Sequence, residues 1–197
     1  MSVAQIFTLA IIALLIFWTV GVYNRLVKLR NEIANAFAQI DVQLKRRHDL
    51  IPNLVEVARK YMSHERETLE RVTAARAQAI AAADLVRSQP NQSGALKSLN
   101  LAEQVLGSAL GKLNVVMESY PELKADQNMR ELSEELTHTE NKVAFSRQLF
   151  NDVTLEFNNA IHQFPANVVA GLFGFRTAAM LQATSTDAER APVKVAF

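Results

Sequence analysis

From Val3 to Val22 the chain reads VAQIFTLAIIALLIFWTVGV without a charge, and from Asn24 onward the apolar rhythm changes to intervals of three and four at Leu26, Leu29, Ile33, Phe37, Ile40 and Leu44. About twenty residues rising about 1.5 Å each cross a hydrocarbon core of roughly 30 Å, so the first run predicts a transmembrane helix. The second rhythm places its apolar residues on one face of a helix, with Arg30, Asp41 and Lys45 elsewhere. No break signal separates the two. The periodicity continues past Pro52 through Leu54, Ala58, Tyr61, Leu69 and Val72 to a breaker cluster at Ser88–Gly94, predicting one long first helix. Pro52 has two readings: a kink near His48 and Asp49, where a ring clash and a lost hydrogen bond bend the helix, or a short turn with Asp49 capping a new one.

A second helix follows from about Ala95 to Ser119, with a coiled-coil-like seam of Leu96, Leu99, Glu103, Leu106, Leu110, Leu113, Met117 and Tyr120. Tyr120-Pro121 ends it, because the residue before proline is pushed out of the α region. The third, from about Asp126 to His162, keeps the same spacing from Met129 through Leu136, Thr139, Val143, Ser146, Phe150 and Phe157 to Phe164. Phe164-Pro165 stops it, and Ala166 to Leu181 is expected to form a shorter, glycine-interrupted helix. The predicted fold is all-α: an N-terminal transmembrane helix continuing into an antiparallel bundle of three long helices plus a short C-terminal helix. The expected domains are an anchor at 1–24, a helical bundle at 25–181 and a loose polar tail at 182–197.

Charge changes this picture only at the membrane. The chain has 21 Lys and Arg against 20 Asp and Glu, but Arg25, Lys28 and Arg30 flank the C-terminal end of the apolar run, and Met1 and Ser2 alone precede it. By the positive-inside rule the bundle is expected in the cytoplasm, on a single-pass protein of the cytoplasmic (inner) membrane. A cleaved signal peptide is the competing reading, and the missing basic n-region and small-x-small site argue against it. The absence of cysteine excludes disulfides, thiolate zinc sites and a cysteine nucleophile.

Patterns that resemble catalytic motifs fail on their own chemistry. Gly107-Ser108-Ala109-Leu110-Gly111-Lys112-Leu113 has one residue too few between its glycines and Leu where a magnesium-binding hydroxyl belongs. The two glycines are read instead as a place where another helix approaches closely. His48, His64, His138 and His162 lie far apart with no paired metal spacing, so no metal and no cofactor is expected. Lys45-Arg46-Arg47-His48 lacks interleaved aromatics and is read as a solvated or lipid-facing stretch, with no nucleic acid as partner. Asn31, Asn35 and Gln39 form one strip on the first helix, and Asn151 and Asn158 lie seven apart on the third. These amides either bond across helices to set register or face solvent.

The ordered set Tyr23-Asn24, Leu29-Arg30-Asn31-Glu32, Asn35 to Arg47 running into Asp49-Leu50-Ile51-Pro52-Asn53-Leu54-Val55, His64-Glu65-Arg66, Tyr120-Pro121, Thr139-Glu140-Asn141, Arg147, Asn151, Asn158, Phe164-Pro165 and Gly174-Phe175 resembles the LemA family of bacterial membrane-anchored helical proteins. Met129, where the family pattern has Phe, and Phe150 and Phe157, where it has Tyr, depart from it. The resemblance implies one N-terminal anchor, an antiparallel helical bundle and no established enzymatic activity. It also implies possible neighbours, since relatives are linked to magnetosome formation or to membrane metallopeptidases.

Two functions of different class follow. One is a non-enzymatic scaffold or adaptor that binds membrane lipid, itself or another membrane protein such as a metallopeptidase, with Asn31, Asn35, Gln39, Arg47, Asp49, Pro52, Asn151, Asn158 and Phe173 as its interaction or structural residues. The other is a membrane-associated enzyme whose site is assembled from dispersed residues such as His48, Asp49 and Arg147. No catalytic residue is assigned. A first helix of about 60 soluble residues, roughly 90 Å long, outruns the later helices and leaves an uncovered apolar stripe. With three reversing helices, the third ends away from the anchor. A homo-oligomer closing over Ile33–Tyr61 and the segment around Phe173 is therefore expected.

Overall fold

α1 runs unbroken from Val3 to Tyr61 with Pro52 inside it. In this computed structural model the described residues are 2–88 and 93–181, and among them every regular element is helical: α2 (Arg66–Ser88), α3 (Ser93–Met117), α4 (Pro121–Ala125), α5 (Gln127–His162) and α6 (Ala166–Leu172). The polar tail expected at 182–197 lies outside the described residues.

The first long helix of the sequence reading is two helices. Between Tyr61 and Leu69 the chain runs Met62-Ser63-His64-Glu65-Arg66-Glu67-Thr68, and a backbone bond from the Glu65 N–H to the Met62 carbonyl closes a turn there. Ser63 and His64 are exposed, so no apolar contact holds the helix straight at this point. α2 then runs back along α1: Arg76 reaches His48, and Arg87, about three turns later, reaches Asp41. The soluble first helix of about 90 Å, on which the oligomer argument rested, does not form, and its apolar stripe is buried at Leu44, Ile51, Leu54 and Ala58.

The helices build two compact units, one from Met1–Ala36 with Leu149–Met180, the other on Phe37–Gln148. In the second, α1 contributes Ile51, Leu54 and Ala58, α2 contributes Leu69, Val72, Ala75 and Ala79, α3 contributes Leu106, Leu110 and Leu113, and α5 contributes Met129 and Leu136 to one core. Four helical segments thus share one interior, and each fully buried Leu stabilises it by about 1.5–3 kcal/mol. The alanines recur every fourth residue on α2, which lets its backbone approach its neighbours closely. α3 stops at Met117 before Tyr120-Pro121, and Leu123 of α4 plugs the end of the core. Asp126 then caps α5, its carboxylate accepting from the Met129 N–H at 3.0 Å.

In the first unit the last turns of α5 pack Phe157, Ala160 and Ile161 onto Leu26 and Leu29 of α1, with Val22 and Ile33 alongside. The end of α5 lies beside the apolar N-terminal part of α1 and not away from it, because the extra reversal at Met62–Glu65 changes the parity of helix directions. The C-terminal helix is also shorter than expected. α6 ends at Leu172 in a Schellman turn: Gly174 takes φ 72°, its N–H bonds to the Gly171 carbonyl, and the Phe175 N–H bonds to the Ala170 carbonyl. Residues 175–181 continue without helix.

Candidate functional site

Helical spacing on α1 puts Leu44, Arg47, His48 and Ile51 on the inward stripe, so continuing the apolar face past Leu44 forces two basic side chains indoors. The leucine seam of α3 carries one acid at a core position, Glu103, between Leu99 and Leu106. Packing the two stripes together brings these charges into contact. Arg47, His48 and Glu103 are only 6, 4 and 3% exposed. The Arg47 guanidinium donates to Glu103 Oε2, and His48 Nε2 lies 2.9 Å from Oε1. Arg147, from α5, adds its field to the same carboxylate.

Burial pushes the Glu103 carboxyl up, but the His48 hydrogen bond and the charges of Arg47, His48 and Arg147 outweigh it and hold the group below its ordinary range. Burial also lowers the Arg147 guanidinium, against the pull of Glu103. The Nε atoms of Arg47 and Arg147 are buried without a hydrogen-bond partner. With both oxygens of Glu103 engaged, and guanidinium groups unable to shed a proton at working pH, the cluster leaves neither its carboxylate nor its arginines as a free base. What it does hold is alignment, since the charges pair at only one register of α1 against α3.

A second device sits one turn along. Proline lacks an N–H, so Pro52 cannot serve the carbonyl of His48 four residues earlier. Arg76 of α2 serves it instead, its Nε donating to that oxygen at 2.5 Å. α1 therefore continues through Pro52. The far end of the unit is tied by Tyr61, whose hydroxyl donates to Asp126 Oδ2 at 2.9 Å. The Met129 N–H and then the Tyr61 hydroxyl hold the Asp126 carboxyl below its usual range, and the same bond raises the Tyr61 phenol.

The expected residues divide accordingly. Arg47, His48 and Arg147 come together, while Asp49 is exposed outside the cluster and does not join them. Asn31, Asn35 and Gln39 are all exposed, so that strip faces solvent and bonds to no facing helix. Asn158 takes the other role: its Oδ1 accepts the Ala178 N–H at 2.9 Å and its Nδ2 donates to the Ala178 carbonyl at 3.0 Å. This pins the segment after α6 to α5. Asn151 is half-buried and engaged in an interaction of its own. Phe173 packs on Tyr23 at 4.8 Å between ring centroids. Gly107 and Gly111 meet nothing a Cβ would touch, so they mark no close helix approach.

Glu103 is the residue that sequence reasoning missed as a site member. Its signal was present: a charge at a strict seam position is either an error in the seam or a buried pair. Two surface grooves lie elsewhere among the described residues, one of about 300 Å³ lined by Arg25, Asp152, Glu156 and Asn159 and another of about 430 Å³ lined by Asn53, Asn128, Glu131 and Glu135. Neither includes the Glu103 cluster.

Comparison with known proteins matches residues 36–197 to the LemA family model. Similar proteins include Protein LemA of Metamycoplasma hominis, 28% identical over 182 residues covering 92% of this chain and 78% of that protein. The Magnetosome protein MamQ of Magnetospirillum gryphiswaldense is 24% identical over 78% of this chain and 62% of its own length. Magnetosome protein MamQ 2 of Paramagnetospirillum magneticum is 23% identical over 81% of this chain and 64% of its own length. The chain thus spans less than two thirds of each magnetosome relative.

Proposed function

Starting from the premise that this chain belongs to the LemA family, we propose that it is a non-enzymatic, membrane-anchored adaptor that works through its helix surfaces, with its bundle on the cytoplasmic side of the membrane. The observation that carries the reading is that the buried charges are spent on one another: Arg47 and His48 take both oxygens of Glu103, and all three side chains are at most 6% exposed. The apolar length of Val3–Val22, exposed except at the half-buried Thr19 and Val22, supports anchoring in a membrane. The basic flank at Arg25, Lys28 and Arg30 supports the orientation. The names borne by the relatives are not those of enzymes.

An adaptor needs surface, and the bundle offers it on α3, where Leu101 and Val105 are exposed one turn apart. Self-association through this face, or its use by another membrane protein such as a metallopeptidase, is the form of the function we favour. Light scattering on the full-length protein in mild detergent, corrected for bound detergent, tests it. A multiple of the 21.9 kDa chain mass that is lost on Leu101→Glu with Val105→Glu is the expected result. A monomer mass across the micromolar range would sink self-association.

A further inference from the structure

α6 is apolar on every side. Val169 and Ala170 are buried against the first unit, yet Val168 and Leu172 on the outer face are 63 and 78% exposed, and Phe164 and Phe173 at its two ends are 83 and 52% exposed. Asn167 is the one polar side chain in the helix, and no residue between His162 and Arg176 is charged. A helix hydrophobic all round belongs in a protein core or in lipid, and this one has only half a core.

Its position says which. The ring of Tyr23 meets Phe173 at 4.8 Å and Phe175 at 5.8 Å, and Tyr23 directly follows the apolar run Val3–Val22, two residues before the first charge at Arg25. The headgroup layer on each side of a hydrocarbon core is roughly 5–8 Å thick, whereas one residue of helix advances about 1.5 Å. Side chains that touch Tyr23 therefore lie within that layer whenever α1 spans the bilayer. The Schellman turn at Gly174 and the Asn158 clamp on Ala178 hold α6 there.

We propose that α6, with Phe164 and Phe173 at its ends, is an interfacial helix lying in the headgroup–acyl boundary of the bilayer that α1 crosses, a second hold on the lipid that sets the depth at which the bundle sits. Lipid is favoured over a second copy because the patch meets α1 at Tyr23, where the exposed apolar span ends, and because the cations Arg25, Lys28 and Arg30 follow within two turns on α1 and Arg176 directly follows Phe175. Those cations face anionic headgroups in the membrane and would face one another across a two-fold protein contact. The assignment rests on the membrane-anchor reading of Val3–Val22.

The test uses the full-length protein in bilayers of phosphatidylcholine and phosphatidylglycerol, with and without lipid brominated near the glycerol end of its chains. Trp18 is the sole native tryptophan, so its own emission reports the anchor, and Trp18→Phe combined with Leu172→Trp or with Val168→Trp reports α6. Both positions are exposed, so neither change disturbs the core. The expected result is strong quenching of the introduced indole by brominated lipid, together with several-fold less quenching by acrylamide than for Trp18→Phe combined with Val115→Trp on the exposed face of α3. Acrylamide access with indifference to brominated lipid would place α6 in water and overturn the proposal while leaving the anchor intact. Protection from both quenchers would overturn it in favour of a second copy. If native Trp18 itself ignores brominated lipid, the anchor and the interfacial helix fall together.

Discussion

Glu103 shows how much one side chain decides. It is the acid of a buried set with two arginines and a histidine, so removing it strands Arg47 without an anion. We expect Glu103→Ala to cost about 3–5 kcal/mol, and Arg47→Met combined with Glu103→Leu to cost far less, because replacing a whole buried pair is often neutral. Thermal unfolding followed by circular dichroism, on the full-length protein in mild detergent, compares them. If the double variant is as damaged as the single, the pair is a net contributor and not a register device. The pH dependence follows from the same carboxylate. Its folded value lies below its unfolded value of about 4.3, so its contribution is fully present above that pH and is lost as pH falls through the folded value. The stability gap between the native protein and Glu103→Gln should therefore be widest near neutrality and shrink in acid. A gap constant from pH 7 to pH 3 would contradict the assignment.

At the scale of the element, the question is why α1 survives its proline. Arg76 supplies the donor that Pro52 lacks, so Arg76→Met should cost about 1.5–3 kcal/mol, the range for a hydrogen bond to a charged group. In a Pro52→Ala background the restored N–H serves the same carbonyl, and the cost of Arg76→Met should drop. Additive effects in that double-mutant cycle would show that Arg76 acts elsewhere. Gly111 tests a different reading of a helix. With open space where its Cβ would stand, Gly111→Ala in the middle of α3 should raise stability by about 0.5–1 kcal/mol through backbone entropy alone. A loss of stability would mean that another helix does approach there.

For the whole molecule the prediction is topological. The chain has no cysteine, so Ser119→Cys, on the exposed connection after α3, gives a silent background. It should resist a membrane-impermeant thiol reagent in intact cells and react after lysis. Labelling in intact cells would reverse the cytoplasmic orientation.

The apolar N-terminal helix, the helical class and the ends of α3 and α5 were legible in the sequence because each is written locally, in an uncharged run, a three-four rhythm or a residue before proline. So was the seam of α5, down to Thr139 and Ser146, which are buried where the spacing put them. The turn at Met62–Glu65 was legible only as a gap, the six polar residues Ser63 to Thr68 between Met62 and Leu69, and a gap is weak beside a proline ten residues before Met62. Three things were decided by tertiary structure alone. The partner of the Pro52-orphaned carbonyl comes from another helix, the charges at Arg47 and Glu103 stand 56 residues apart, and Asn158 finds its backbone partner 20 residues on. Periodicity reports which face of a helix is inward. It carries no information on which inward face lies opposite, and that choice sets the identity of every polar contact inside the bundle.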